Sequence, residues 1–222
     1  MIGSEEKRST MGNGLCVVVS GGEYCEIPEE LRRADYVIAC DRGWQYAAKM
    51  GLHPDWIVGD FDSAPPPETE VPVTRVPTRK DDTDTMLAAR RALELGYRDV
   101  AILCAFGGRL DHTLANLQTA AFLVERGART RLVGKDTEAL AFTGGTERFP
   151  RREGRSLSLF ALSDCCEGVT VRGTKYTCEN ERLTNAFPLG VSNVWASQQA
   201  EVSVSAGTLL VLQCRLAPGE HI

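Results

Sequence analysis

The sequence predicts an α/β protein in which a mostly parallel sheet domain is followed by an all-β half the size of a small sandwich. Three observations carry that prediction. From Leu15 to about Gly134, short β-rich runs alternate with helical segments. Aspartates recur where those runs end. After Lys135 the helical spacing disappears, and glycines punctuate short alternating stretches.

In the first half, strands are expected at Leu15–Ser20, Tyr36–Cys40, Trp56–Val58, Val73–Val76, Val100–Phe106 and Thr130–Val133. Helices are expected near Pro28–Arg33, Trp44–Met50, Thr83–Leu95 and Leu110–Arg126. In the last of these, Leu114, Leu117, Ala121 and Val124 recur at helical spacing before Gly127. Gly51 and Gly96 stop the two preceding helices in the same way. In the second half Ser156–Leu162, Val169–Arg172 and Glu201–Ser205 alternate, and Leu209–Cys214 reads as a buried strand. The expected division is a flexible tail over 1–14, an α/β domain over 15–134 and a β-sandwich over 135–222. Met11 offers an alternative start within that tail.

Composition narrows the function. The net charge is −5 and the basic residues are scattered, which argues against a nucleic-acid partner. No apolar signal core occurs over 1–14, and the longest apolar runs have strand length, so neither secretion nor membrane insertion is expected. Of the eight cysteines, Cys16, Cys40 and Cys104 sit in apolar strand-like runs, and no C-x-x-C occurs. Cys165, Cys166 and Cys178 lack a nearby histidine to complete a zinc set. Reduced thiols and a cytoplasmic location are the expectation.

The carboxylates are the informative feature. Tyr36–Cys40 ends in Asp41; Trp56–Val58 runs into Gly59-Asp60-Phe61-Asp62-Ser63. Lys80-Asp81-Asp82-Thr83-Asp84 opens a helix, and Val100–Phe106 leads into Gly107-Gly108-Arg109-Leu110-Asp111-His112. In an open parallel sheet these connections meet at the strands' C-terminal edge, where ligands bind. On an extended backbone Asp60 and Asp62 share one face about 6.6 Å apart. At that separation they repel by about 2.5 kcal/mol at an effective dielectric of 20. A divalent cation relieves this, and carboxylate oxygens suit Mg²⁺. Some of these acids have plainer readings: Asp81 or Asp82 as an N-cap, Asp84 in the first helical turn, and Asp41 as a cap before Trp44. Arg109 behind two glycines at a helix start suits an anion, and Ser20-Gly21-Gly22 is a weaker candidate phosphate loop. No G-x-x-x-x-G-K-[ST], G-x-G-x-x-G or G-x-S-x-G occurs.

Taken in order, Cys40-Asp41-Arg42-Gly43, the Gly59–Ser63 and Lys80–Asp84 motifs, Gly107–His112 with Leu114-Ala115-Asn116, and Val191-Ser192-Asn193 resemble thiamine pyrophosphokinase. The resemblance spans about residues 15 to 214. It implies transfer of diphosphate from ATP to thiamine, giving thiamine diphosphate and AMP, with Mg²⁺ required. It also implies a Rossmann-like N-terminal domain, a C-terminal β-sandwich, and a homodimer with active sites between subunits. By motif, Asp41, Asp60, Asp62 and Asp84 become the catalytic carboxylates, with Asp60, Asp62 and Asp84 on the metal. Lys80, Arg109, Asp111 and His112 lie around the nucleotide, while Tyr176, Ser192 and Asn193 contact thiamine. Arg42 and Trp44 depart from the small residues that often surround this glycine. Two other readings fit the same acids: a different Mg²⁺-dependent phosphotransferase or nucleotide hydrolase, and a non-catalytic thiamine- or nucleotide-binding protein.

Overall fold

The computed structural model describes residues 14–62, 65–77, 81–220 and 222. Apart from Gly14 the expected tail falls outside these residues, as does Lys80. The chain divides into two compact units. The first runs up to Thr119 and includes Leu132–Lys135; the second comprises Ala120–Arg131 and Asp136–Ile222.

The first unit is built on β1 (Leu15–Val19), β2 (Tyr36–Cys40), β3 (Trp56–Gly59), β4 (Val73–Arg75), β5 (Asp99–Leu103) and the end of β6 (Arg129–Val133). The strand order is β6-β5-β1-β2-β3-β4, and the pairs from β5 through β4 are parallel. β1 and β2 are buried along almost their whole length, which explains why they read as unbroken apolar runs. β4 is exposed at the sheet's edge. Val17, Val19, Ala101 and Leu103 pack into one core cluster with Leu31, Ala47 and Met50.

Three helices alternate with these strands: α1 (Gly43–Met50), α2 (Asp84–Glu94) and α3 (Leu110–Glu125), the last belonging to the first unit only up to Thr119. The expected helix near Pro28 is a single 3₁₀ turn, Glu29–Leu31. Gly51 ends α1 at φ 73°, with its amide donating to Ala48 O. α2 is capped by Thr83, whose hydroxyl accepts from the Met86 amide at 3.1 Å. Asp81 and Asp82 are therefore not the cap; Asp82 instead holds Arg90 at 2.9 Å. Nor does Asp41 cap α1 through its side chain, since the N-cap is Arg42. In α3 the buried positions are Asn116, Thr119, Ala120, Leu123 and Val124, and Leu114 is exposed.

The second unit is all β from β7 onward. One antiparallel sheet pairs β12 (Gly190–Asn193), β9 (Arg155–Ala161), β14 (Leu209–Arg215) and β7 (Thr137–Phe142). The other runs β11 (Cys178–Thr184), β10 (Cys165–Arg172), β13 (Gln199–Val204), β8 (Gly145–Pro150). Leu157, Leu159, Leu209 and Val211 from the first sheet pack with Phe149, Cys166, Val169 and Val202 from the second. Inward-facing residues of two sheets closing on one core make this a sandwich. No helix among the described residues is long and apolar enough to cross a membrane.

Candidate active site

β1 lies between β5 and β2, so the connections that leave β1 and β5 diverge. Such a switch point opens a crevice at the strands' C-terminal edge. A cavity of about 750 Å³ lies there. Its walls are Ser20–Tyr24 after β1, Cys40–Arg42 after β2, Asp60 and Asp62 after β3, and Thr83–Thr85 at α2. Gly107–Arg109, His112, Ala115 and Asn116 close it from the β5–α3 connection.

Carboxylate oxygens of Asp41, Asp60 and Asp62 lie within 4.8 Å of one another. The backbone that brings them together is unusual. Asp41 and Phe61 adopt positive φ, 45° and 56°, in the left-handed region that costs ordinary residues free energy. The Asp41 amide is held by Val58 O at 2.8 Å. Gly59 makes room beside it, because a Cβ there would stand 2.9 Å from Asp41 Cα. Gly43 is required just as directly, since its Cβ would come 2.1 Å from the Val19 carbonyl oxygen. Between the two later acids, the Phe61 ring is buried with Ala39 and Ile57, and the Asp62 amide donates to Asp60 Oδ1 at 3.2 Å. The extended backbone expected for Asp60 and Asp62 is thus replaced by a turn pinned through Phe61. Three carboxylates this close form a hard-oxygen donor set of the kind Mg²⁺ takes. Asp84 lines the same cavity from the first turn of α2 but stands outside the cluster. Beneath it, Ser20 and Thr85 share a buried hydrogen bond of 3.0 Å.

Arg109 and His112 face the cavity; Asp111 does not line it. Instead Asp111 grips Arg109 through two oxygens, at 3.1 Å to Nε and 2.5 Å to Nη2. That pairing holds the Asp111 carboxyl below its usual range and raises the Arg109 guanidinium. Asn116, buried, donates to Ala105 O at 2.8 Å and so fixes the end of the β5 connection.

The second unit carries its own groove, about 330 Å³, lined by Leu159, Val169, Val171, Leu183, Leu189 and Val191 with Tyr176, Glu181 and Asn193. Tyr176 is exposed, with Lys175 Nζ 5.3 Å from the centroid of its ring. Asn193 clamps the Tyr176 backbone from both sides: Oδ1 accepts from its amide at 3.0 Å and Nδ2 donates to its carbonyl at 2.6 Å. Ser192, at φ 61°, donates its amide to Ser158 Oγ at 3.0 Å and does not line the groove.

Two family models match the sequence, the thiamin pyrophosphokinase catalytic domain over residues 27–132 and its vitamin B1 binding domain over residues 146–209. The chain belongs to the thiamine pyrophosphokinase family. It is 29% identical over 206 residues to the thiamine pyrophosphokinase of Bacillus subtilis, covering 88% of this chain and 96% of that protein. The crystal structure of a B. subtilis thiamine pyrophosphokinase superposes with a TM-score of 0.79 at 26% identity, covering 91% of this chain and all of the other. A family protein from Enterococcus faecalis gives a TM-score of 0.73 at 27% identity, covering 93% and 100%. The Candida albicans enzyme shares the fold at 15% identity, with a TM-score of 0.73 over 91% and 89% of the two chains.

Thiamine pyrophosphokinases are enzymes, and the catalytic-domain match ends at the residue where the first cavity's unit resumes, Leu132. The vitamin B1 match contains every residue of the second groove. Several cavity residues gave no motif signal in the sequence. Tyr24 and Tyr46 reach the wall from a loop and from α1, and Glu23 packs against Gly107. Thr85 was detectable only as the neighbour of Asp84.

Proposed function

We propose that this chain is an ATP:thiamine diphosphotransferase, converting thiamine and ATP to thiamine diphosphate and AMP, and that it works with Mg²⁺. One observation carries the reading: three carboxylates converge within 4.8 Å in a cavity large enough for a nucleotide, in a chain of this family. Asp41, Asp60 and Asp62 are the proposed metal ligands, with Asp84 beside them as the fourth catalytic carboxylate. Mg²⁺ bound there offsets the charge of the triphosphate.

The chemistry is attack by thiamine's hydroxyl oxygen on the β-phosphorus, with cleavage of the bond to the α-phosphate oxygen and departure of AMP. One of the cavity's aspartates accepts the hydroxyl proton. The protein's work is orientation and charge stabilisation. Arg109, aimed by Asp111, meets charge on the transferring group, and Lys80 and His112 complete the nucleotide's surroundings. In the second unit, an exposed aromatic ring, an apolar wall and the Glu181 carboxylate suit a flat cationic ring such as a thiazolium. Asn193 acts there by fixing Tyr176, while Ser192 contributes through its neighbour Asn193.

The homodimer with active sites between subunits belongs to the same proposal, supported by the exposed apolar Phe187, Leu189 and Val191. So does a cytoplasmic location, where all eight thiols stay reduced. A coupled assay for AMP tests the reading. AMP should form only when thiamine, ATP and Mg²⁺ are all present; release of ADP, or thiamine binding without turnover, would refute it.

A further inference from the structure

The Ser20-Gly21-Gly22 turn has the composition of a phosphate loop, yet the amides that flank Gly21 are already committed. Those of Ser20, Gly22 and Glu23 donate to the carbonyls of Leu103, Cys104 and Phe106 at 2.9, 3.1 and 2.9 Å. A phosphate-cradling nest needs several successive backbone N–H groups turned toward the anion, and here three of the four from Ser20 to Glu23 are turned into the fold. An anion on this wall of the cavity therefore needs a side chain to complete its surroundings.

Arg42 is the side chain so placed. It lines the same cavity, and it lies along Gly21: a Cβ on that glycine would stand 3.4 Å from Arg42 Cγ and 3.9 Å from Nε. Those are ordinary van der Waals distances, so the arginine side chain packs along the turn. Arg42 is exposed, and no carboxylate among the described residues pairs with it. Among the described residues, Arg109 holds Asp111 and Lys135 holds Glu23 at 2.9 Å, whereas Arg42 has no such carboxylate partner. A guanidinium that lies among cavity carboxylates without being claimed by any of them is available to a ligand richer in negative charge. Its planar fork matches phosphate oxygens.

We propose that Arg42 binds the phosphate chain of the nucleotide, acting from the β2 side of the cavity while Arg109 acts from the β5 side. The proposal rests on the nucleotide reading of this cavity, and the test separates the two. Calorimetric titration with inorganic tripolyphosphate and Mg²⁺, without thiamine, is run on the wild-type protein, Arg42→Gln and Arg42→Lys. Loss of a charge-assisted hydrogen bond predicts binding weakened about tenfold or more in Arg42→Gln. Arg42→Lys, keeping the charge but losing the fork, should recover part of it. In turnover, the KM for ATP should rise by a similar factor in Arg42→Gln, with the KM for thiamine within about twofold of wild type. Unchanged tripolyphosphate binding in Arg42→Gln would overturn the assignment. So would a parallel rise of both KM values with a lowered melting temperature, which is the mark of a structural role. Failure of the wild-type protein to bind tripolyphosphate would overturn the nucleotide reading itself.

Discussion

Replacing Asp62 by asparagine should make the metal-free protein more stable while destroying its activity. Oxygens of Asp41, Asp60 and Asp62 lie within 4.8 Å, where each pair of charges repels by about 3.5 kcal/mol at an effective dielectric of 20. Asp62 takes part in two such pairs. It is exposed, so solvent and salt bring each pair down to about 1 kcal/mol. Neutralising it should therefore stabilise the fold by about 1–2 kcal/mol, a melting temperature higher by about 2–8 °C for a chain of this size. The comparison is made by thermal melts in chelator and again in excess Mg²⁺. Wild type should gain stability from Mg²⁺, because a ligand bound only by the folded state shifts the unfolding equilibrium. Asp62→Asn should gain much less, and its AMP formation should fall at least about 100-fold. Two results would refute the reasoning: an Mg²⁺-induced shift equal to wild type, or near-normal AMP formation by the variant.

Other substitutions probe separate parts of the structure. Gly43→Ala drives a Cβ to 2.1 Å from the Val19 carbonyl, so unfolding in urea should show a loss of about 3 kcal/mol or more, or the protein should fail to accumulate. For Asp111 the folded pKa is depressed by Arg109 below the usual 3.8. Its stabilising contribution is thus complete above that value and disappears as pH falls through the lower, folded one. Arg109→Gln should raise the Asp111 titration, followed by NMR, toward the usual carboxylate range, with the His112 amide still bonded to Oδ1; an unmoved titration would disprove the cause. Asn193→Ala frees the Tyr176 backbone and should raise the KM for thiamine about tenfold, leaving that for ATP within about twofold.

The parallel half of the fold was legible because its central strands are buried on both faces. Cys16–Val19 and Val37–Cys40 have no solvent side, so burial wrote them as continuous apolar runs. The second half was less legible, and for a physical reason. β8, β11 and β12 are edge strands, and the run Cys-Glu-Asn-Glu-Arg-Leu-Thr of β11 is mostly exposed. β7 escaped notice differently: Thr-Glu-Ala-Leu-Ala-Phe favours helix by composition, and its six-residue pairing with β14 overrides that preference.

For the carboxylates, sequence located the residues but not the geometry, because the geometry depends on backbone conformations that no spacing rule expresses. Asp41 and Phe61 both sit at positive φ, and each conformation is held by something distant in sequence. Val58 and Gly59 hold and accommodate Asp41, while Ala39 and Ile57 bury the Phe61 ring. Residues of β2 and β3 thus fix one another's acids, so the strain and the charge repulsion fall on the same few residues. Such a site is stable only because the paired strands beneath it over-determine the backbone. The glycines of the motifs follow from this. Gly43 and Gly59 do not line the cavity; they let β1, β2 and β3 approach closely enough for three like charges to face it.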